Sequence, residues 1–272
     1  LPHVASLHIH PVKSLHRLSP QTLTLDPWGP RNDRRWLITE PDGTFITQRT
    51  DPAMALIAAT PDETGLTLSH PAHTPIHIPF PPHTIPAAPV RVWKDTIPAQ
   101  HAGPEAATWL TTILGRPCHL SYMHTPQTAR PRHYETHSFP ASFADGFPIL
   151  ITTTASLADL NAKLETPVPM DRFRPNIVIE NDIPWEEDTW HTLRIGPVEL
   201  ILVKPCSRCV MTTVDQTTGQ SPNRKEPLQT LARFRRAPGG VMFGQNALVT
   251  IPGTLTIGDP VTLLATGPSN LT

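Results

Sequence analysis

Apolar and polar positions alternate along most of the chain in short runs, predicting strands over 4–10, 22–26, 35–39, 88–93, 176–180, 193–203 and 210–214. The stretch 247–264 alternates well enough for two more, with Pro252-Gly253 as their turn. Proline stands at 34 positions, which argues against long central strands and for edges, bends and a curled sheet or barrel. Helical spacing is scarce. Asp51 followed by Pro52 reads as a cap leading into Met54, Leu56 and Ile57. A second helix is expected over 104–114, stopped by Gly115, and a third over 156–165, where Leu157, Leu160 and Leu164 share a face. A fourth is expected over 227–236. The proline- and histidine-rich stretch 70–89 reads as a connector or a set of edge strands. The polar stretch 124–141 reads as a long loop. No internal repeat is visible.

Composition then narrows the class. A chain of 272 residues that is 38% hydrophobic and 17% charged buries a core and forms one large domain or two lobes. A formal net charge of -1 lacks the basic excess of a nucleic-acid surface, so no nucleic-acid partner is expected. No apolar run approaches the roughly 20 residues of a membrane span, and 1–14 lacks a secretory apolar block. No membrane partner is therefore expected, although a first residue Leu1 leaves room for an upstream segment since removed. Three cysteines, Cys118, Cys206 and Cys209, do not make an extracellular disulfide framework, so a reducing, cytoplasmic compartment is expected.

Candidate chemistry begins at Pro205-Cys206-Ser207-Arg208-Cys209, expected at a corner between two strands. Two cysteines are half of a zinc site. A redox dithiol would open a helix, whereas β-branched residues follow here. A soft thiolate ligand to a transition metal, with Arg208 beside it, and a pair of buried structural cysteines are the other readings. The local sequence leaves all four open. Three basic groups stand at expected strand ends: Lys13 in PVKS, Arg34 in DRRW, and Arg174 with Asn176 in FRPN. Arginine forks and a paired amide suit a phosphate and a planar heterocycle. Of lower rank are Arg49 and the turn Asp145-Gly146-Phe147-Pro148, whose backbone offers an N–H donor. Asp215 to Gly219 reads as a hairpin turn, and the spacing of His70, His73, His77 and His83 does not suit a second metal.

The ordered motifs PVKS at 11–14, DRRW at 33–36, TQR at 47–49, FRPNIVI at 173–179, CSRCVMTTVD at 206–215, NRKEPL at 223–228 and FGQN at 243–246 resemble the MOSC-domain family. Within it they are most similar to the branch containing the mitochondrial amidoxime-reducing component and its bacterial relatives. The resemblance spans 4–264. It implies a mainly β (α+β) fold with a few short helices: an N-terminal β-rich domain over 1–120 packed on a MOSC β-barrel over 121–272, with a cofactor between them.

That cofactor is molybdopterin carrying molybdenum (Moco), with any nucleotide extension left open. The resemblance implies Cys209 as the metal ligand and catalytic cysteine. It implies Lys13, Arg34, Arg174, Asn176, Ser207 and Arg208 as contacts to the pterin and its phosphate, and Gly146 is added as a cofactor-binding candidate. Cys206 is then a bystander or structural thiol, and Cys118, outside every motif, is core. The implied activity is reduction of small N-hydroxylated compounds (amidoximes, hydroxylamines, hydroxylated nucleobases) to amidines or amines. Bacterial relatives often carry a C-terminal ferredoxin domain with four cysteines. None is seen here, so a separate electron donor is expected: a ferredoxin, a flavoprotein or a cytochrome b5-like protein. Two further readings are a cofactor carrier or sulfur-relay module without turnover, and a thiol switch built on Cys206 and Cys209.

Overall fold

The computed structural model describes residues 1–271. Its largest sheet runs in the order His3–Leu7, Ile177–Glu180, Ile149–Thr153, Gly240–Ile251, Val198–Ser207, Trp190–Ile195, Val261–Thr266, with Arg236–Ala237 as a side pair on Gly240–Ile251. The first strand thus joins a sheet otherwise built from the second half of the chain. The sheet curls until its ends meet. His3 bridges to Pro260, Val4 N–H donates to Asp259 O at 2.9 Å, and Val261 N–H donates to Pro2 O at 2.9 Å. Val4, Leu7, Ile151, Ile177, Trp190, Leu200 and Leu255 fill the interior, all essentially without solvent contact. Burial on this scale drives the closure. The fold is mainly β with a few short helices, as expected.

A four-stranded sheet, in the order Trp36–Thr39, His119–Tyr122, Asp95–His101, Ala88–Val92, carries the first half. One face packs Trp36 against Tyr122 and Phe80, next to the helix Pro104–Leu114. That helix has the expected bounds, with Gly115 left-handed at φ 69 and its N–H on Thr111 O. The stretch Gly253–Thr256 pairs with Thr22–Asp26, tying the two halves together a second time. No described helix is long and apolar enough to cross a membrane.

Several expected elements are corrected. The first strand ends at Leu7 rather than residue 10: past His8, whose N–H still bonds Asn176 O, Ile9 pairs with Leu18 and His10 N–H turns to the Asp33 carboxylate at 2.7 Å. The run 193–203 is a hairpin, Trp190–Ile195 and Val198–Ser207, broken at Gly196, whose φ of 53 suits glycine. Residues 247–264 form no hairpin of their own. The strand Gly240–Ile251 ends at Pro252, and the pieces after it pair with different strands. Proline also fails to keep strands short, since this strand and Val198–Ser207 have 12 and 10 residues. Register shifts on both sides of Pro205 absorb its missing donor as bulges.

The expected strand 210–214 is a 3-10 turn, Val210–Thr213. The hydroxyls of Thr212 and Thr213 donate to Cys209 O and Val210 O at 3.0 and 2.8 Å, a local bonding mode that competes with strand pairing. Residues 52–56 likewise make only a 3-10 turn. Asp51 gives no side-chain cap, because its carboxylate is paired with Arg116. The helix expected over 227–236 is a single turn, Leu228–Leu231. The one expected over 156–165 is Thr154–Asn161, capped by Thr153. Asp215 to Gly219 does turn, but no strands flank it.

The supposed long loop 124–141 is ordered. It holds a helical turn Pro126–Ala129 and a hairpin Pro131–Tyr134/His137–Pro140. Arg130 anchors it, buried and bonded to Asp95 Oδ2 at 2.7 Å and to Ser142 O at 3.0 Å. Within 70–89, His73–Pro79 pairs with Gly65–His70.

Candidate functional site

Between the two sheets lies a cavity of about 380 Å³, within the usual size of a small-molecule site. Seven cationic side chains line it, Lys13, Arg34, Arg49, Arg172, Arg174, Lys204 and Arg208, with Asp145 as the one lining carboxylate. In a chain of net charge -1 this is a concentration of positive charge, and it selects an anionic occupant. Cys206, Ser207, Cys209, Asn176 and Gly146 share the wall.

The backbone is bent to reach this arrangement. Seven described non-glycine residues take positive φ, and four of them line the cavity: Ser14 (φ 67), Arg34 (φ 47), Trp93 (φ 56) and Arg174 (φ 55). Each such conformation costs about 1–3 kcal/mol, and strain of this kind gathers where function requires a particular side-chain direction. Arg34 stands before the strand Trp36–Thr39, its N–H on His10 O and its guanidinium on Asp33 and, at 3.3 Å, Asn176 Oδ1. Arg174 closes the 3-10 turn Met170–Phe173, which is fixed by Phe173 stacking on Phe243 at 3.8 Å. Arg35, the neighbour of Arg34, points away and bonds Met123 O and His124 O.

Hydrogen bonding separates anchored atoms from available ones. Arg174 Nη1 donates to Leu15 O at 2.8 Å, while Nη2 is buried without a protein partner. Arg172 grips Thr213 O at 2.7 Å and Asp215 Oδ2 at 2.9 Å, bracing the turn after Cys209. Arg208 donates to Phe173 O at 2.6 Å and to the sulfur of Cys206, not Cys209, at 3.0 Å. Asn176 is engaged at both ends, accepting from Leu150 N–H and donating to His8 O. Its amide holds Arg34 and the strand starts in place. Gly240 makes room for Ser207, whose Oγ would lie 2.5 Å from any Cβ there.

The charges perturb one another. Burial pulls Lys13 down to about 8, opposed by Asp145 at 2.6 Å. Burial works against ionisation of Asp145, but Lys13 and Arg49 outweigh it and hold the carboxyl far below its ordinary range. Burial and nearby Arg34 both disfavour the charge on Arg174, which as an arginine nevertheless stays protonated. His10, fully buried beside Arg174 and Arg34, is held neutral for the same two reasons.

Comparison with known proteins places this geometry. The description "MOSC N-terminal beta barrel domain" matches residues 1–117, and "MOSC domain" matches 139–262. Mitochondrial amidoxime-reducing component 1 of Mus musculus is 37% identical over 96% of this chain and 82% of its own length, and that of Homo sapiens gives the same figures. Mitochondrial amidoxime reducing component 2 of Rattus norvegicus is 34% identical over 95% of this chain and 82% of its own length. The chain belongs to the amidoxime-reducing component branch of the MOSC-domain family.

In this amidoxime-reducing component relative the residues expected to form the cofactor site come together: Lys13, Arg34, Gly146, Arg174, Asn176, Ser207, Arg208 and Cys209 all line the cavity, as does Arg49. Cys118 is buried in the core of the first half. Cys206, read as a bystander, also lines the cavity and receives the Arg208 bond. Sequence reasoning missed Arg172, Lys204 and Trp93, and treated Asp145 only as part of a turn. Arg172 carried a signal in its two-residue spacing from Arg174. Trp93 carried none, because its place depends on a hairpin tip meeting a distant loop.

Proposed function

We propose that this MOSC-domain chain is a molybdenum cofactor-dependent reductase of N-hydroxylated compounds, with Cys209 as the protein's ligand to the metal. The observation that carries the reading is the cavity itself: seven cations against one carboxylate, with the free thiols of Cys206 and Cys209 in its lining. The residues present suit such a group. Buried donors without partners at Arg174 Nη2, Arg172 Nε and Arg208 Nε call for an acceptor, since an unsatisfied buried donor costs about 1–3 kcal/mol. A phosphate-bearing pterin supplies acceptors of that kind.

Lys13, Arg34, Arg174, Ser207, Arg208 and the Gly146 N–H would hold the pterin and its phosphate, and Cys209 the metal. When bound, the group supplies the two-electron redox chemistry that cleaving an N–O bond requires. The protein's own work is orientation and charge. Asn176 fixes Arg34, Arg172 fixes the turn that presents Cys209, and Asp145 stays ionised and pins Lys13, Arg49 and Trp93. Overall, an amidoxime takes two electrons and two protons and yields an amidine and water. The electrons come from a separate donor protein. In this reading the chain divides near residue 120 into an N-terminal β-rich domain and a MOSC domain. It works in the cytoplasm, where both cavity cysteines stay reduced.

The test is elemental analysis of the purified protein together with benzamidoxime reduction by a reduced viologen dye. Molybdenum near one per chain and turnover that vanishes in Cys209→Ala but survives in Cys206→Ala are expected. Molybdenum without turnover on any N-hydroxylated compound would identify a carrier instead. Absence of both, with a reversible Cys206–Cys209 disulfide, would identify a thiol switch.

A further inference from the structure

Trp93 occupies a position its residue type does not favour. It opens the two-residue loop of the hairpin Ala88–Val92/Asp95–His101, where Val92 pairs with Asp95. Of the two loop residues Trp93 alone takes positive φ, the pattern of a turn whose first place glycine normally fills. A bulky residue there is strained, and nothing in the hairpin's own packing requires it. The residue is 53% exposed, although it lines the cavity. Single exposed apolar side chains are common on protein surfaces, but this one also lines the cavity, where an aromatic face is a contact for a bound ligand.

The ring is also held. Its Nε1 donates to Asp145 Oδ1 at 2.9 Å, the Arg49 guanidinium sits 4.6 Å from its centroid, and the ring of Phe45 meets it at 5.1 Å, tilted by 69°. The hairpin that carries it is braced in turn, since Asp95 pairs with Arg130 at 2.7 Å and also with Arg132. An exposed aromatic with fixed orientation loses little freedom when a flat ligand stacks on it. A ring whose only task was to cover Asp145 would not need to stand half in solvent.

From this we infer that Trp93 is a specificity-determining residue of the cavity: it stacks the planar ring of an aromatic or heteroaromatic substrate and so favours such compounds over aliphatic ones. The inference rests on the reductase reading for the identity of the reaction, but not for the contact itself. The contact is non-covalent. It acts on binding of the substrate body rather than on the bond that breaks.

Benzamidoxime and acetamidoxime carry the same reacting group on a flat ring and on a methyl group. The holoenzyme and its Trp93→Ala and Trp93→Phe variants are compared with both, by steady-state kinetics and by tryptophan fluorescence titration. For Trp93→Ala, KM for benzamidoxime is expected to rise roughly tenfold with kcat little changed, while acetamidoxime kinetics stay within about twofold. Trp93→Phe keeps a ring but loses the bond to Asp145, and is expected to restore most of the benzamidoxime affinity. Benzamidoxime is expected to quench wild-type emission, and the tryptophans left in either variant are not expected to respond. The inference is overturned by equal losses for both substrates, by no loss for either, by failure of Trp93→Phe to rescue, or by absence of quenching in the wild type. If molybdenum-loaded wild type reduces neither compound, the reductase reading falls. Quenching by benzamidoxime but not acetamidoxime would then still uphold the stacking contact, and equal or absent quenching would overturn it.

Discussion

Lys13 and Asp145 are 132 positions apart in the chain and meet at 2.6 Å on the cavity wall, one from each half of the molecule. Lys13 is almost fully buried, whereas Asp145 is about half exposed, so the pair lies between the surface and interior regimes. Lys13 keeps a second bond, to Phe143 O at 2.9 Å. Asp145→Asn is expected to cost about 1–2 kcal/mol, chiefly from the buried ammonium left behind. In a denaturation double-mutant cycle, Lys13→Met/Asp145→Asn should lose less than the sum of the single changes. Additive losses would show that the contact has no energetic weight of its own.

Arg174 separates binding from stability. Its Nη2 is buried without a partner, and burial and the charge of Arg34 both work against its own charge, so it does little for the protein that carries no cofactor. Arg174→Met is expected to leave the melting temperature of cofactor-free protein near the wild-type value, within about 1 kcal/mol of stability. Molybdenum retained per chain should fall by roughly tenfold or more, because an arginine–phosphate contact is charge-assisted and bidentate. Thermal melts and elemental analysis of the same preparations check both halves. A large melting loss with molybdenum retained would reverse the assignment.

Glu187 predicts a pH dependence of stability. Burial raises it to about 7 from an ordinary value of 4.5, while its Oε2 accepts from Thr153 and Ser156 hydroxyls and Oε1 has no partner. Between about 4.5 and 7 the folded state holds a proton that the unfolded state has released. Stability from this group is complete below 4.5 and is lost as pH rises through 7. Its full extent is about 3 kcal/mol. His8, held near 4 by burial and by Arg17, works in the opposite sense over an overlapping range, so the difference from Glu187→Gln isolates the effect. The variant should gain on the wild type between pH 5 and 8 in denaturant titrations. Parallel curves would place the titration elsewhere.

Phe243 carries the platform under Arg174. Stacked on Phe173 at 3.8 Å, it is fully buried, and Phe173 O receives the Arg208 bond. Phe243→Ala is expected to cost about 3–5 kcal/mol through the void it leaves, and Phe243→Leu clearly less. Chemical denaturation of both variants gives the ratio. Equal and small losses would mean that the turn is held from elsewhere.

Much of the site was legible from residue order, and much of its mechanics was not. Lys13, Arg34, Arg174 and the cysteine motif stand out because each sits in a short stretch whose composition suits one chemical task. Their convergence is a property of the fold, which brings residues 13, 34, 145, 174 and 208 to one cavity. Alternation found many of the strands, but it missed Asp95–His101 and His119–Tyr122, supplied one at 210–214 that does not form, and did not fix strand ends. The first strand ends near Leu7 because Ile9 pairs with Leu18 and His10 N–H goes to a distant carboxylate, Asp33, and the turn at Val210–Thr213 forms because two threonine hydroxyls bond locally. The order of 124–141 depends on Arg130, one buried cation bonded to Asp95 and to the backbone of 142–145. Long-range bonds of this kind leave no periodic trace.

The strand His3–Leu7 covers the border of the main sheet, where Ile177, Val178 and Ile179 are buried beneath it. Deleting the first twenty residues would therefore do more than remove a tail. It would bare a row of unpaired amide and carbonyl groups flanked by branched aliphatics, a template for docking of foreign strands and for aggregation. Expression of residues 121–272 by themselves carries the same hazard, so dissecting the molecule into separately soluble pieces requires a replacement strand supplied in trans.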